Sequence, residues 1–252
     1  LNALNRQHIT VLRNDNLGGL AGAYNTALAW IAEYQRDVTH VLFIDDDSDL
    51  SALDAFLRSE ATREVATYPS VAAVAPVYRD KRTGLRGRHI QLSRFHYRFL
   101  PREQTTPVDV AFIINSMSLW RFDVLTRLGP YSVALGIDHI DTEYALRAKR
   151  AGFRIVLNAG VEFLHEIGER RSYKLFGKMV QSGGHSADRR FLIGRNTVIV
   201  AKKHGIAYPA FMFLCLQRLG YESLGILIAE DSKAAKLSGL WRGALRGLVT
   251  RA

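Results

Sequence analysis

Cysteine is almost missing from this chain. It occurs once, as Cys215, so no disulfide can close within the sequence, and a reducing compartment is the natural setting. Long apolar runs are also absent. The longest candidate, Ala210 to Leu216, falls short of the roughly 18 residues that cross a bilayer. No signal peptide is visible, and the first residue is Leu1, so we expect an internal piece of a longer protein. No glycine-rich loop carries a Walker lysine, which argues against a P-loop. A dinucleotide-binding G-x-G-x-x-G spacing is missing too. Acid is in deficit: 34 Lys and Arg face 24 Asp and Glu, giving a net charge of +10. That surplus favours polyanionic partners, among them nucleic acid, an anionic membrane and a nucleoside diphosphate. The chain of 252 residues can build one large core or two small ones.

What stands out is a run of three acids, Asp45-Asp46-Asp47, directly after the apolar stretch Val41-Leu42-Phe43-Ile44. The stretch has strand length and β-branched ends, so it reads as a buried strand. Ligands of α/β sheets bind beyond the carboxyl ends of strands. Side chains alternate along extended backbone, so Asp45 and Asp47 share one side and Asp46 takes the other. Two carboxylates on one side repel unless a cation lies between them, and hard divalent metals with phosphate oxygens suit that role. The competing reading is a solvated turn with Asp47 or Ser48 capping a helix.

Strands and helices alternate along the first part of the chain. We expect strands at His8–Arg13, Val38–Ile44 and Val71–Val77, with helices at Ala21–Tyr34 and Leu50–Ala66. That rhythm implies an α/β fold with a doubly wound, mostly parallel sheet. The basic, aromatic stretch Arg79–Arg102 interrupts it and reads as an insertion or hairpin. Beyond it come a strand at Val108–Ile114, a short helix at Arg121–Leu128, a helix at Asp141–Ala151, and strands at Phe153–Leu157 and Val161–Leu164. From about Arg189 the pattern is mostly helical.

Four further groups could carry chemistry. Asn16, Gly18 and Gly19, with Asn25 beyond them, form a strand-to-helix turn where a phosphate or base can approach the backbone; close helix packing is the plainer explanation. Asp141 opens a helix and could cap it or act as a general base, with Asp138 one turn earlier as its rival. His165 follows an apolar strand as the aspartates do, and neutral imidazole there could complete a metal site. Arg189 and Arg195 could clamp a diphosphate through their planar forks, or simply face solvent.

In order and spacing, Asn16-Leu17-Gly18-Gly19 with Asn25, the Asp triplet, Asp141 with Leu146-Arg147 and Gly152, and finally His165 resemble glycosyltransferase family 2. Gly136-Ile137-Asp138-His139-Ile140-Asp141, the turn His165-Glu166-Ile167-Gly168, and Ser186 through Arg189 to Arg195-Asn196 look most like its bacterial rhamnosyltransferases of surface polysaccharide synthesis. The resemblance implies a GT-A catalytic domain over residues 1–200, lacking its opening strands, and a helical segment over 201–252. It implies a nucleotide diphosphate sugar donor, held by Asn16, Gly18, Gly19, Asn25, Asp45, Asp46, Arg189 and Arg195. It further implies Mg²⁺ or Mn²⁺ on Asp45, Asp47 and His165, with Asp141 as base for an inverting transfer to a glycan or lipid-linked glycan. Ile140 stands where the family often has Glu, and Asp46 where the rhamnosyl subgroup often has Gln. Galactofuranosyl transfer by the same family is therefore the alternative.

Other classes compete. A sugar nucleotidyltransferase would also need metal-binding acids, but would open with a glycine- and arginine-rich loop that is absent here. A basic nucleic-acid module fits the charge, yet clustered acids at strand ends would repel phosphates unless metals are present, so no nucleic-acid partner is expected. In the tail, Leu237, Leu240, Trp241, Ala244, Leu245 and Leu248 share a helical face opposite Arg242 and Arg246, with Lys233 at the border. That pattern suits peripheral attachment to the cytoplasmic face of an anionic membrane, or packing on the core.

Overall fold

The computed structural model describes residues 9–46, 48–166, 171–175 and 178–250, with the side chains of 171–175 and 178–182 outside the description. A five-stranded sheet forms the centre. Its strands are β1 (His40–Phe43), β2 (Val71–Asp80), β5 (Val108–Val110), β6 (Ser118–Arg121) and β7 (Arg154–His165). They lie in the order β1-β6-β2-β7-β5. β1, β2 and β7 run in one direction, while β6 and β5 are reversed. Two hairpins stand apart: β3 (Ile90–Leu92) with β4 (Tyr97–Phe99), and β8 (Arg171–Leu175) with β9 (Lys178–Ser182).

β2 is buried along almost its whole length because it has neighbours on both sides and helices on its faces. Its Val- and Ala-rich sequence is what two-sided burial requires. Helices α1 (Gly19–Tyr34), α2 (Leu53–Arg58), α3 (Glu60–Thr67), α4 (Phe122–Leu128) and α5 (Ile140–Arg150) surround the sheet. α6 (Ala187–Gly205), α7 (Pro209–Ala229) and α8 (Lys233–Val249) complete the chain.

Several expectations need correction. Residues 9–13 form no strand, and Ile9, Val11 and Leu12 are exposed; His8 lies outside the described residues. The helix expected over 50–66 is three pieces, broken at Ser59, whose ψ of 126° is extended. Buried Asn158 explains the break, donating to the hydroxyls of Ser59 (3.0 Å) and Thr62 (2.8 Å). The expected strands at 153–157 and 161–164 are one strand, β7, with a register shift opposite Pro76 and Val77. β6 was not expected at all. Its Trp120 is fully buried and donates to Ser118 Oγ at 2.9 Å, so four residues suffice to fix it between β1 and β2.

The boundary at residue 200 falls inside α6. Ile199, Val200, Phe211 and Cys215 all join the main core. A smaller core of Ile193, Leu219, Ile226, Leu240 and Ala244 then ties α6, α7 and α8 together. α8 meets α6 at backbone contact through Gly239, Gly243 and Gly247. A methyl at Gly243 would lie 2.0 Å from the Phe191 carbonyl, and one at Gly194 on α6 2.0 Å from the Leu240 carbonyl. The apolar tail face is thus divided. Leu240 and Ala244 are buried, whereas Trp241, Leu245 and Leu248 remain exposed.

Candidate active site

The site is built around residues 131–141, which lead into α5. The Asn25 side chain donates to the Tyr131 carbonyl (2.9 Å) and accepts from its N–H (2.7 Å). Gly18 and Gly19 both adopt positive φ, at 72° and 61°. A methyl at Gly18 would press on Val133 at 2.9 Å, and one at Gly19 on the Gly136 carbonyl at 2.5 Å. That carbonyl accepts from the Leu20 N–H at 3.0 Å. From the other side, Asn196 on α6 donates to the carbonyls of Leu135 (2.6 Å) and Asp138 (3.2 Å). Arg195 donates to the Ala134 carbonyl at 2.8 Å. Arg189 pairs with Asp138 at 3.1 Å.

The loop before Asp141 is therefore clamped between the start of α1 and the flank of α6. Close packing, the plainer explanation of the glycine turn, accounts for its geometry. Asn25 bonds to this loop, Arg195 divides its bonds between the loop and the Asn196 side chain (3.0 Å), and a diphosphate would compete with Asp138 for Arg189. Asn16 shapes the turn with φ of 55°, its carbonyl accepting from Gly19 N–H at 3.1 Å. Replacing Gly19 by Ala is expected to lower the melting temperature by several degrees, because a Cβ would meet backbone at a positive φ. Gly84→Ala provides the comparison: it has positive φ but open space around it. Equal melting shifts for the two would show that the clamp adds nothing.

Asp141 sits in the first turn of α5, and its Oδ2 accepts from the Asn115 N–H at 3.2 Å. Burial pushes its carboxyl up to about 7; the Asn115 bond opposes this, and the negative charge of Asp45 adds to it. Two residues on, Glu143 has the reverse fate. Its burial also works against ionisation, but contacts with His204, Arg147 and Lys203 outweigh that and hold it at about 2. Glu143 pairs with Arg147 (2.5 Å) and Lys203 (2.9 Å). Arg147 in turn donates to the carbonyls of Leu128 and Pro130. One helical turn thus carries two carboxyls whose environments push them in opposite directions. Asp138, paired with Arg189, is the poorer candidate base on geometry.

Asp45, just past β1, and Asp141, at the start of α5, lie close enough for their charges to interact. Their charges both act on Tyr24, whose hydroxyl is driven upward first by burial and then by these two acids. Below them Tyr24, Phe43 and Tyr131 pack edge to face or tilted, and Tyr131 stacks on Tyr144 at 3.8 Å. Asn115 and Ser116, both buried, lie on a turn closed by Ser118 N–H to the Asn115 carbonyl (2.9 Å). Met117 in that turn has φ of 58°, a strained value for a non-glycine residue. Ser116 Oγ meets Ser48 Oγ at 2.5 Å, so one turn touches both Asp141 and the chain just past the acidic triplet. The sequence reading passed over Asn115, Ser116 and Tyr24. A signal for the first two existed: polar residues directly after the apolar run 110–114, the pattern that marks the aspartates.

Asp47 lies outside the described residues, as do Ile167 and Gly168. Among the described residues no three His, Cys, Asp or Glu side chains converge as a metal site. Two observations fit a cation there. Asp45 and Asp141 bear on each other as like charges. His165, at the end of β7, has a buried Nδ1 without a hydrogen-bond partner and packs near the Tyr78 and Phe163 rings. In sheet order β7 is three places from β1. The 3₁₀ turn Leu50–Ala52 after the triplet packs on β7. Lys81 donates its N–H to the His165 carbonyl at 3.2 Å, and its charge also acts on Asp49.

No family model matches the chain. It is 24% identical over 193 residues to the dTDP-rhamnosyl transferase RfbF of Shigella flexneri, covering 75% of this chain and 61% of that protein. The chain thus spans about three fifths of that relative's length. Among solved structures it is similar to GalNAc-T7, crystallised with UDP, GalNAc and Mn²⁺, with a TM-score of 0.50 and 14% identity, covering 90% of this chain and 42% of the other. At that identity the likeness shows architecture alone: a mixed α/β chain with the GT-A glycosyltransferase fold.

Proposed function

We propose that the protein is a metal-dependent, inverting glycosyltransferase that moves a sugar, L-rhamnose first among candidates, from a nucleoside diphosphate to a hydroxyl of a glycan or lipid-linked glycan. The observation that carries this reading is Asp141: a carboxyl pushed up to about 7, within reach of the Asp45 charge, at the start of α5 on a GT-A fold. A base poised near neutrality has both the free form and the proton affinity that general-base catalysis needs.

Asp141 takes the proton of the acceptor hydroxyl as its oxygen bonds to the anomeric carbon. The bond from that carbon to the diphosphate oxygen breaks, and the nucleoside diphosphate leaves with the electron pair. One displacement from the opposite face inverts the centre. Asn115 N–H fixes the orientation of Asp141, and the clamped loop 131–139 fixes the start of α5. The residues suited to hold Mg²⁺ or Mn²⁺ are Asp45, Asp47 and His165; such an ion would neutralise charge on the diphosphate. Arg189 would add to that neutralisation by exchanging Asp138 for phosphate oxygens.

Incubating the chain with Mn²⁺ and labelled dTDP-rhamnose, or UDP-galactofuranose, and a membrane lipid extract from a polysaccharide-producing bacterium tests the reading. Label moving from dTDP-rhamnose to lipid or glycan, with dTDP released, is the expected result. Transfer from UDP-galactofuranose alone would replace the donor. Release of pyrophosphate from a nucleoside triphosphate and sugar phosphate would overturn transfer altogether. The similarity to an enzyme named for dTDP-rhamnose puts that donor first.

A further inference from the structure

α7 inverts the pattern of an ordinary surface helix. Its inner side packs on the core through Phe211, Cys215, Leu219 and Ile226. Its outer side presents Phe213, Leu216, Leu224 and Leu227, each 44–61% exposed. None of its exposed residues is charged; Arg218 and Glu222, its two charged positions, are only partly accessible. The helix is long and apolar enough to span a bilayer by length and composition. A search for uninterrupted apolar runs misses it, because Gln217, Arg218, Glu222 and Ser223 break the run. Glu222 pairs with fully buried Arg190 of α6, which fixes α7 lengthwise against the body.

Two neighbours extend this face. α8 packs beside α7 and leaves Trp241 and Leu245 exposed. The hairpin tip between β3 and β4 joins the start of α7, with the Arg94 carbonyl accepting from Ala210 N–H at 3.2 Å, and exposes Phe95. Exposed cations accompany the apolar residues: Arg94 on the hairpin tip, and Lys233, Arg242 and Arg246 on α8, with one exposed acid, Asp231, beside Lys233.

We propose that α7, with the exposed edge of α8 and the Phe95 tip, is a membrane-docking face that lies flat on an anionic bilayer. Charge chooses the occupant. A second copy would bring another +10 chain and a second set of these cations against the first. An anionic lipid surface complements the cations while the leucines and aromatics enter the interface. α7 lies near the clamped loop, where the charge of its Arg218 acts on His139. Glu222 and Glu230 both pair with Arg190, adjacent to the Arg189 that holds Asp138. A lipid-linked acceptor in that bilayer would meet the crevice from this side. This route rests on the proposed sugar transfer; the docking itself does not.

Flotation of the full chain with phosphatidylcholine vesicles, with and without phosphatidylglycerol, tests docking without any nucleotide sugar. The chain is expected to float with the anionic vesicles and to be released by salt. Leu216→Glu combined with Leu224→Glu should cut partitioning at least about tenfold, as two charges now face the acyl boundary. Arg242→Gln with Arg246→Gln, both on the exposed side of α8, should cut it about fivefold per charge removed and serves as the decisive pair if the leucine variant fails to fold. No flotation with anionic vesicles, or undiminished flotation of the arginine pair, overturns the proposal. So does light scattering that shows a dimer which the leucine pair dissociates while flotation is unchanged.

Discussion

Asp141→Asn is expected to reduce turnover by about a hundred- to ten-thousand-fold, the usual worth of a positioned base, while leaving donor binding within a few-fold of wild type. The amide can still accept the Asn115 N–H through its oxygen, so the start of α5 should keep its geometry. What it cannot do is take a proton. Initial rates and nucleotide-sugar affinity, measured on the same preparation, separate the two effects. A variant that loses donor affinity but keeps its turnover number would remove Asp141 from the role of base.

The same substitution has a second, opposite consequence. The Asp141 carboxyl lies above its ordinary range in the fold, so the folded state holds this proton more tightly than the unfolded chain does. That contribution to stability is complete below the unfolded value near 4 and disappears as pH rises through about 7. Above pH 7 the metal-free wild type carries an ionised, poorly solvated carboxylate that Asn lacks. Asp141→Asn should therefore melt several degrees higher than wild type at about pH 8, with the gap closing toward about pH 5. Melting curves in the absence of divalent metal decide it. A gap that is constant with pH, or one that widens in acid, would show that Asp141 is not raised. The rate of the wild type should rise with pH along a limb set by the same group, shifted downward when a cation shares the crevice.

The parts of this site that were legible in the sequence are those where chemistry follows the end of a strand. The apolar run before Asp45 announced a strand and an acidic end, and β1 with its acidic exit is what the chain builds. Asp141 was legible as the opening of a helix because capping and base chemistry want the same residue type at the same place. The surroundings were not legible. Nothing local marks Asn196 and Thr197 as the residues that hold the loop before Asp141 from about 60 positions away in the chain; only the packing of α6 brings them there. The glycines of the first turn were visible as glycines, but whether they admit a phosphate or a neighbouring loop is a long-range matter. In the fold, Gly19 packs against the backbone of Gly136. The tail misled for a related reason. A helical wheel shows that α8 has an apolar side, not that its glycines would draw half of that side onto α6 while α7, without an alternating pattern, kept its own leucines outside.

Removing divalent metal should be as damaging as removing the base. Exhaustive chelation is expected to lower turnover on the order of a hundredfold or more, since an ion on a departing diphosphate is worth several kcal/mol. Mn²⁺ or Mg²⁺ should restore it. Asp45→Asn should reproduce the chelated state and should not be rescued by added metal at ordinary concentrations. It should also ease the ionisation of Asp141, because the Asp45 charge is one cause of its raised value. The acid limb of the variant's residual rate would then move to lower pH, a shift that mere loosening of the fold does not produce. Binding supplies a readout independent of turnover. If Asp45, Asp47 and His165 hold an ion against a diphosphate, Mn²⁺ and a nucleoside diphosphate should each raise the melting temperature more in the other's presence, as mutual ligands must. His165→Ala should weaken that coupling, because its buried Nδ1 has no hydrogen-bond partner to keep it otherwise employed. Stabilisation by the nucleotide that is the same with Mn²⁺ as with chelator, alongside full activity after chelation, would leave the acidic triplet without a cation and Asp141 to act without one.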